Sequence, residues 1–116
     1  MKKLIILTLG FFQFSIALSN PYDDPEIVNN LKKQYIQETK MLNSDFNRIF
    51  SFFGNPAKKE KFKQIQLIWV KYRDSHCQLM SQEFGDSNEM LYRCLRDLTN
   101  ERQRTIESMQ ELFLVD

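Results

Sequence analysis

Cys77 and Cys94 stand at equal distances from the pair Gly85-Asp86, eight residues before the glycine and eight after the aspartate. If Gly85 ends one helix and the next begins beyond Asp86, the hairpin brings the two sulfurs level and within bonding reach. Mirror positions further along support the same register. Trp69 faces Arg102, Ile65 faces Ile106 and Phe62 faces Met109, so apolar side chains meet down the seam. The pair reads as a brace, not as a reactive centre.

The rest of the chain reads as helix. Pro25 suits a first helical residue, with Asp24 as its cap and Glu26 at the positive helix end. From there Val28, Leu31, Tyr35, Leu42, Phe46, Ile49 and Phe53 recur at spacings of three, four and seven, a helical stripe. Gly54-Asn55-Pro56 stops that helix and starts another, with Asn55 as the cap. The second stripe runs through Phe62, Ile65, Trp69, Tyr72, His76 and Leu79 and ends at Phe84-Gly85. Asp86 or Ser87 caps the third segment, where Leu91, Cys94, Leu98, Thr105, Met109 and Leu112 mark the side expected to be buried. No stretch alternates convincingly as a strand. The expectation is an all-α fold of three antiparallel helices, about 25 to 30 residues each, the second and third forming a disulfide-linked hairpin.

At 116 residues the chain has room for one domain. Lys2 and Lys3 precede an apolar run from Leu4 to Phe14, and Ala17-Leu18-Ser19 offers small residues where a signal peptidase reads. Residues 1–19 are therefore expected to be a signal peptide, and 20–116 the helical domain. An uncleaved anchor is the competing reading, but Gln13 and Ser15 interrupt the run well short of the ~20 apolar residues a spanning helix needs. Removal of the leader takes sixteen Lys and Arg to fourteen against fifteen Asp and Glu, moving the net charge from +1 to −1. So weak a balance argues against nucleic acid as a partner. Export makes an even cysteine pair presumptively oxidised. In a domain this small, closing such a loop is worth about 3 kcal/mol in the chain-entropy model.

Catalysis finds little support. His76 is the sole histidine and sits on the apolar stripe, and a thiol nucleophile would need a free cysteine. Zinc requires about four ligands, whereas adjacent His76 and Cys77 diverge by about 100° on a helix. No cofactor or metal is expected. Glu83, Asp86, Ser87 and Glu89 surround the hairpin turn and form a candidate partner-binding tip, although Asp86 and Glu89 also suit ordinary helix capping. Lys58, Lys59, Lys61 and Lys63 lie level with Glu107, Glu111 and Asp116, and read as a solvated face paired across the hairpin. Trp69 and Arg73 are four apart, so guanidinium stacking on the indole is feasible; a core tryptophan edged by Arg73 or Arg102 is the favoured reading.

Read together, Gln66, Trp69, Tyr72, Arg73, Asp74 and Cys77, then Gly85, Ser87, Leu91, Cys94, Leu98, Thr99 and Arg102, resemble the signature of the LprI-type lysozyme inhibitors. Leu42-Asn43 with Phe46 is similar to the family's earlier Leu-Asn-x-x-Tyr element, Phe46 standing for the tyrosine. The likeness covers roughly residues 41 to 110. It implies an exported helical protein of the bacterial envelope, periplasmic or secreted, with Trp69, Tyr72, Arg73, Asp74, Leu98, Thr99 and Arg102 as structural signature residues. It also implies a c-type lysozyme or another envelope protein as partner. Two departures stand out: the cysteine pair that many relatives carry near the mature N-terminus is absent between Asn20 and Asn43, and Gly-Asp-Ser occupies the turn where a second glycine is common.

Two functions follow as expectations. One is a binding protein without catalysis that occludes a cell-wall hydrolase through the acidic tip. The other is an envelope adaptor or chaperone-like module docking through Phe50, Phe52 and Phe53, which cannot all face inward on one helix.

Overall fold

The computed structural model describes residues 23–114, and among them it contains three helices and no strand. Helix α1 spans Pro25–Phe52, α2 spans Pro56–Glu83 and α3 spans Asn88–Leu114. The expected signal segment and its cleavage before Asn20 lie outside the described residues, as does Asp116.

Each helix begins where the sequence provides a cap. Asp24 accepts the amide of Glu26 ahead of Pro25, and Asn55 accepts those of Ala57 and Lys58 at 2.7 and 3.3 Å ahead of Pro56. Ser87, one of two expected caps, starts α3 by accepting the amide of Met90 at 3.1 Å. Asp86 instead belongs to the turn, with φ 59° beside Gly85 at φ 69°.

Helix α3 is the middle element, packed along α1 on one side and against α2 on the other, while α1 and α2 meet only locally. The result is a slab 62 × 34 × 15 Å in backbone extent, one helix thick. Cross-layer pairs fix the register. Gln34 with Arg96, Glu38 with Asn100 and Arg48 with Gln110 are each separated by 62 residues, a constant offset between α1 and α3. Between α2 and α3 the numbers run in opposition: Ser81 with Ser87, Cys77 with Cys94, Arg73 with Thr99, Gln66 with Arg102.

Leu42, Ile49, Phe62 and Ile106 form the core, edged by Phe46, Phe50, Phe53, Trp69 and Met109. On α1 the stripe falls as its spacing predicts. On α2 it does not: Ile65, Tyr72 and Leu79 are exposed, and the inward residues are Phe62, Arg73, Cys77 and Ser81. The physical reason is that the disulfide and Arg73 turn α2 so that its more polar flank meets α3, leaving the apolar stripe outward. The mirror partner of Ile65, Ile106, is fully buried but packs in the Leu42, Ile49 and Phe62 cluster instead. Helix α3 is rotated in the same sense, since Thr105 and Leu112 face solvent and Leu95, Thr99, Gln103 and Ile106 face inward. Nor are the α2 lysines paired across the hairpin. Among the described residues the ion pairs lie within single helices, and Lys59 rests over the Phe50 ring instead.

Candidate functional site

The hairpin tip is assembled from three chain segments. Helix α2 ends as the amides of Phe84 and Gly85 bond back to the carbonyls of Ser81 and Gln82. Gly85 takes the left-handed backbone that residues with a side chain disfavour, and Asp86, whose short carboxylate makes that region less costly, follows it. Ser81 then closes the turn, its hydroxyl donating to the Ser87 carbonyl at 2.8 Å and its carbonyl accepting the Ser87 amide at 3.2 Å. One helical turn and more behind it, Cys77 and Cys94 are bonded, with Cα atoms 5.4 Å apart.

The third segment is the lead into α1. Asp23 accepts the Ser87 hydroxyl at 2.8 Å, the Glu89 amide at 2.9 Å and the Asn88 amide at 3.1 Å. With Ser87 holding Met90 and the Ser81 carbonyl holding the Ser87 amide, all four orphan amides at the start of α3 are satisfied. Burial pushes the Asp23 carboxyl up, but the bonds from Glu89, Ser87 and Asn88 together outweigh it, so the group sits below the ordinary carboxylate value of 3.8. Sequence reasoning missed this residue. Its signal is the doublet Asp23-Asp24 before Pro25, one aspartate more than a single cap requires.

This frame sorts the four tip candidates. Ser87 is fully buried and committed to the turn, so it drops out of the surface a partner can touch. Glu89 is largely covered and paired with Arg93 at 3.1 Å. Glu83 and Asp86 are exposed, and they carry the free negative charge of the tip.

Most of the second candidate group converges deeper in the slab. The Arg73 guanidinium lies over Trp69 at 5.1 Å and over Tyr35 of α1 at 5.5 Å, grips Asp74 through two nitrogens, and donates to Thr99 of α3 at 3.3 Å. At 8% exposure this one side chain ties all three helices together. Arg102 covers Trp69 from α3 at 5.8 Å and donates to Gln66 at 3.0 Å, and burial lowers its pKa. Tyr72 and Leu98 stand apart. Tyr72 faces solvent and stacks on His76, while Leu98 lines a shallow groove with His76, Met80, Met90 and Cys94. Among the described residues no group of His, Cys, Asp or Glu is arranged to hold a metal ion, and both cysteines are bonded.

The braced turn and the Trp69-Arg73-Thr99 tie use the residues of one family signature, and that family's profile, described as "Lysozyme inhibitor LprI", matches residues 22–105. The chain belongs to the LprI lysozyme inhibitor family. Its LprI segment thus begins at the capping lead of α1 and includes the disulfide, the tip and the arginine tie. An uncharacterized protein of Methanocaldococcus jannaschii is 32% identical over 73 residues, covering 62% of this chain and 89% of that protein. No solved structure matches the chain. Among the described residues of this LprI protein, no helix is long and apolar enough to cross a membrane.

Proposed function

We propose that this chain is an exported binding protein of three helices, without catalysis of its own, that occludes a cell-wall hydrolase of the c-type lysozyme class. Membership of the lysozyme inhibitor family carries the reading. Physical support comes from the tip: Glu83 and Asp86 project from a turn held by a disulfide, two serines and Asp23, so little conformational entropy is lost on docking. An acidic, pre-organised projection suits a cationic cleft, and its contribution falls with added salt.

The test is lysis of bacterial cell walls by c-type lysozyme with residues 20–116 at micromolar excess and low salt. Slower lysis, relieved by Glu83→Lys with Asp86→Lys, is expected. Lysis that proceeds unchanged would sink the inhibitor reading. A second reading, an envelope adaptor, is favoured by the opposite end of the slab, where Phe52 and Phe113 stack at 5.6 Å while still partly exposed. Partner capture lost on Phe52→Ser, and kept on charge reversal at Glu83, Asp86 and Glu89, would select the adaptor.

A further inference from the structure

Helix α2 presents its most regular apolar stripe to solvent. Ile65, Ile68, Tyr72 and Leu79 are exposed at 45, 66, 55 and 55%, with His76 half-buried between the last two. At about 100° per residue these five positions share an arc of about 80°. The buried side of the helix, marked by Phe62, Arg73, Cys77 and Ser81, points elsewhere. Because α3 is the middle layer, α2 is an edge element, and a partner reaches this face without displacing any of the described residues.

The stripe reads the same from either end. Tyr72 is its centre; Ile68 and His76 lie four residues away, Ile65 and Leu79 seven, and Lys61 and Glu83 eleven. Self-complementarity about a point is the condition a two-fold contact between identical chains imposes. An α2 laid against its own copy in the opposite direction places Tyr72 on Tyr72, Ile68 against His76 and Ile65 against Leu79. At each end it brings Lys61 to Glu83 of the second copy, a closed pair of opposite charges. The same-direction alignment would instead oppose lysine to lysine and glutamate to glutamate, so charge selects the two-fold arrangement. Neither Lys61 nor Glu83 has an ion-pair partner among the described residues.

We infer that a second copy of this chain covers the outer face of α2, forming a two-fold dimer centred on Tyr72. The contact runs over about 33 Å of helix at 1.5 Å per residue. It uses one tip carboxylate, Glu83, and leaves Asp86 outside the seam. The inference shares Glu83 with the hydrolase reading, but sedimentation is read without lysozyme and Ile68 and Tyr72 lie outside the tip, so either reading can fail without the other.

Sedimentation of the oxidised chain over a concentration series tests it, with circular dichroism confirming helicity. A reversible monomer–dimer equilibrium is expected, with the dissociation constant raised at least about tenfold by Ile68→Asp. Tyr72→Lys gives the same loss and serves if Ile68→Asp lowers helicity. Lys61→Glu and Glu83→Lys each weaken the dimer roughly threefold to tenfold, and the double swap restores it. A single-chain mass up to about 1 mM, a dimer indifferent to both apolar-face variants, or a double swap no tighter than the single ones would overturn the proposal.

Discussion

The two ends of the slab close the same kind of helical turn by opposite means. At Gly85-Asp86 the closure is polar and covalent: a disulfide braces the hairpin, and two serines and an aspartate from a distant segment satisfy the backbone. At Gly54-Asn55 the closure is aromatic. Phe53 packs on Phe62 at 5.2 Å and on Phe113 at 5.1 Å, Phe46 stacks on Phe62 at 4.7 Å, and Asn55 caps the helix that follows. The difference matters because hydrogen bonds and a covalent bond fix direction, whereas ring packing tolerates slippage. A rigid end suits presenting a fixed shape, and the aromatic end suits holding the helices together.

The contrast predicts where stability resides. Phe62→Ala removes the ring on which Phe46 and Phe53 both pack and is expected to cost about 3–5 kcal/mol, read as a lower urea midpoint. Cys77→Ala with Cys94→Ala is expected to cost about 3 kcal/mol, matched by reduction of the unaltered chain. Amide exchange sharpens the comparison. Loss of the disulfide should speed exchange around residues 81–90 and leave the Phe62 end protected; a uniform increase would show that the two ends are not independent.

Much of this was legible in the sequence. Caps at Asp24 and Asn55, the breaks at Gly54 and Gly85 and the Cys77–Cys94 bond all depend on local chemistry, which a single sequence carries. The stripe on α2 misled because periodicity shows that a helix has an apolar side without saying which neighbour covers it. Tyr72 and Leu79 lie on that side, yet burial went to Arg73 and Ser81, whose hydrogen bonds reach α3. At the site, Glu83 and Asp86 were legible as turn residues, while Ser87 is taken up by its long-range bond to Asp23 and Glu89 by its ion pair with Arg93 one helical turn on. Asp23 left only the faint signal of a doubled aspartate, because its partners are more than sixty residues away.

Asp23 tests how far the polar end depends on that single carboxylate. Asp23→Ala leaves the amides of Asn88 and Glu89 without their side-chain acceptor and is expected to cost about 1 kcal/mol near neutral pH. The folded-state pKa lies below the unfolded value of 3.8, so the ionised form stabilises the fold above that value and the benefit disappears as pH falls through the lower, folded one. Thermal melts from pH 6 to pH 2 should therefore show the gap between Asp23→Ala and the unaltered chain narrowing below about pH 4. A gap that stays constant would mean that the carboxylate's charge contributes nothing.

The smallest effects separate backbone need from surface chemistry at the two turns. Gly85→Ala forces a side chain into left-handed backbone and is expected to cost about 1–2 kcal/mol. An added methyl at Gly54 meets nothing within 4 Å, so Gly54→Ala should be neutral or stabilising by a few tenths of a kcal/mol through the unfolded state. Asp86 sits between these cases, with positive φ and no glycine to make it easy. Asp86→Gly should relieve that strain and raise stability by under about 1 kcal/mol. If the carboxylate serves binding, the same substitution weakens inhibition of lysozyme while the protein becomes harder to unfold. A variant both more stable and fully inhibitory would remove Asp86 from the binding surface and leave Glu83 as the tip carboxylate to test.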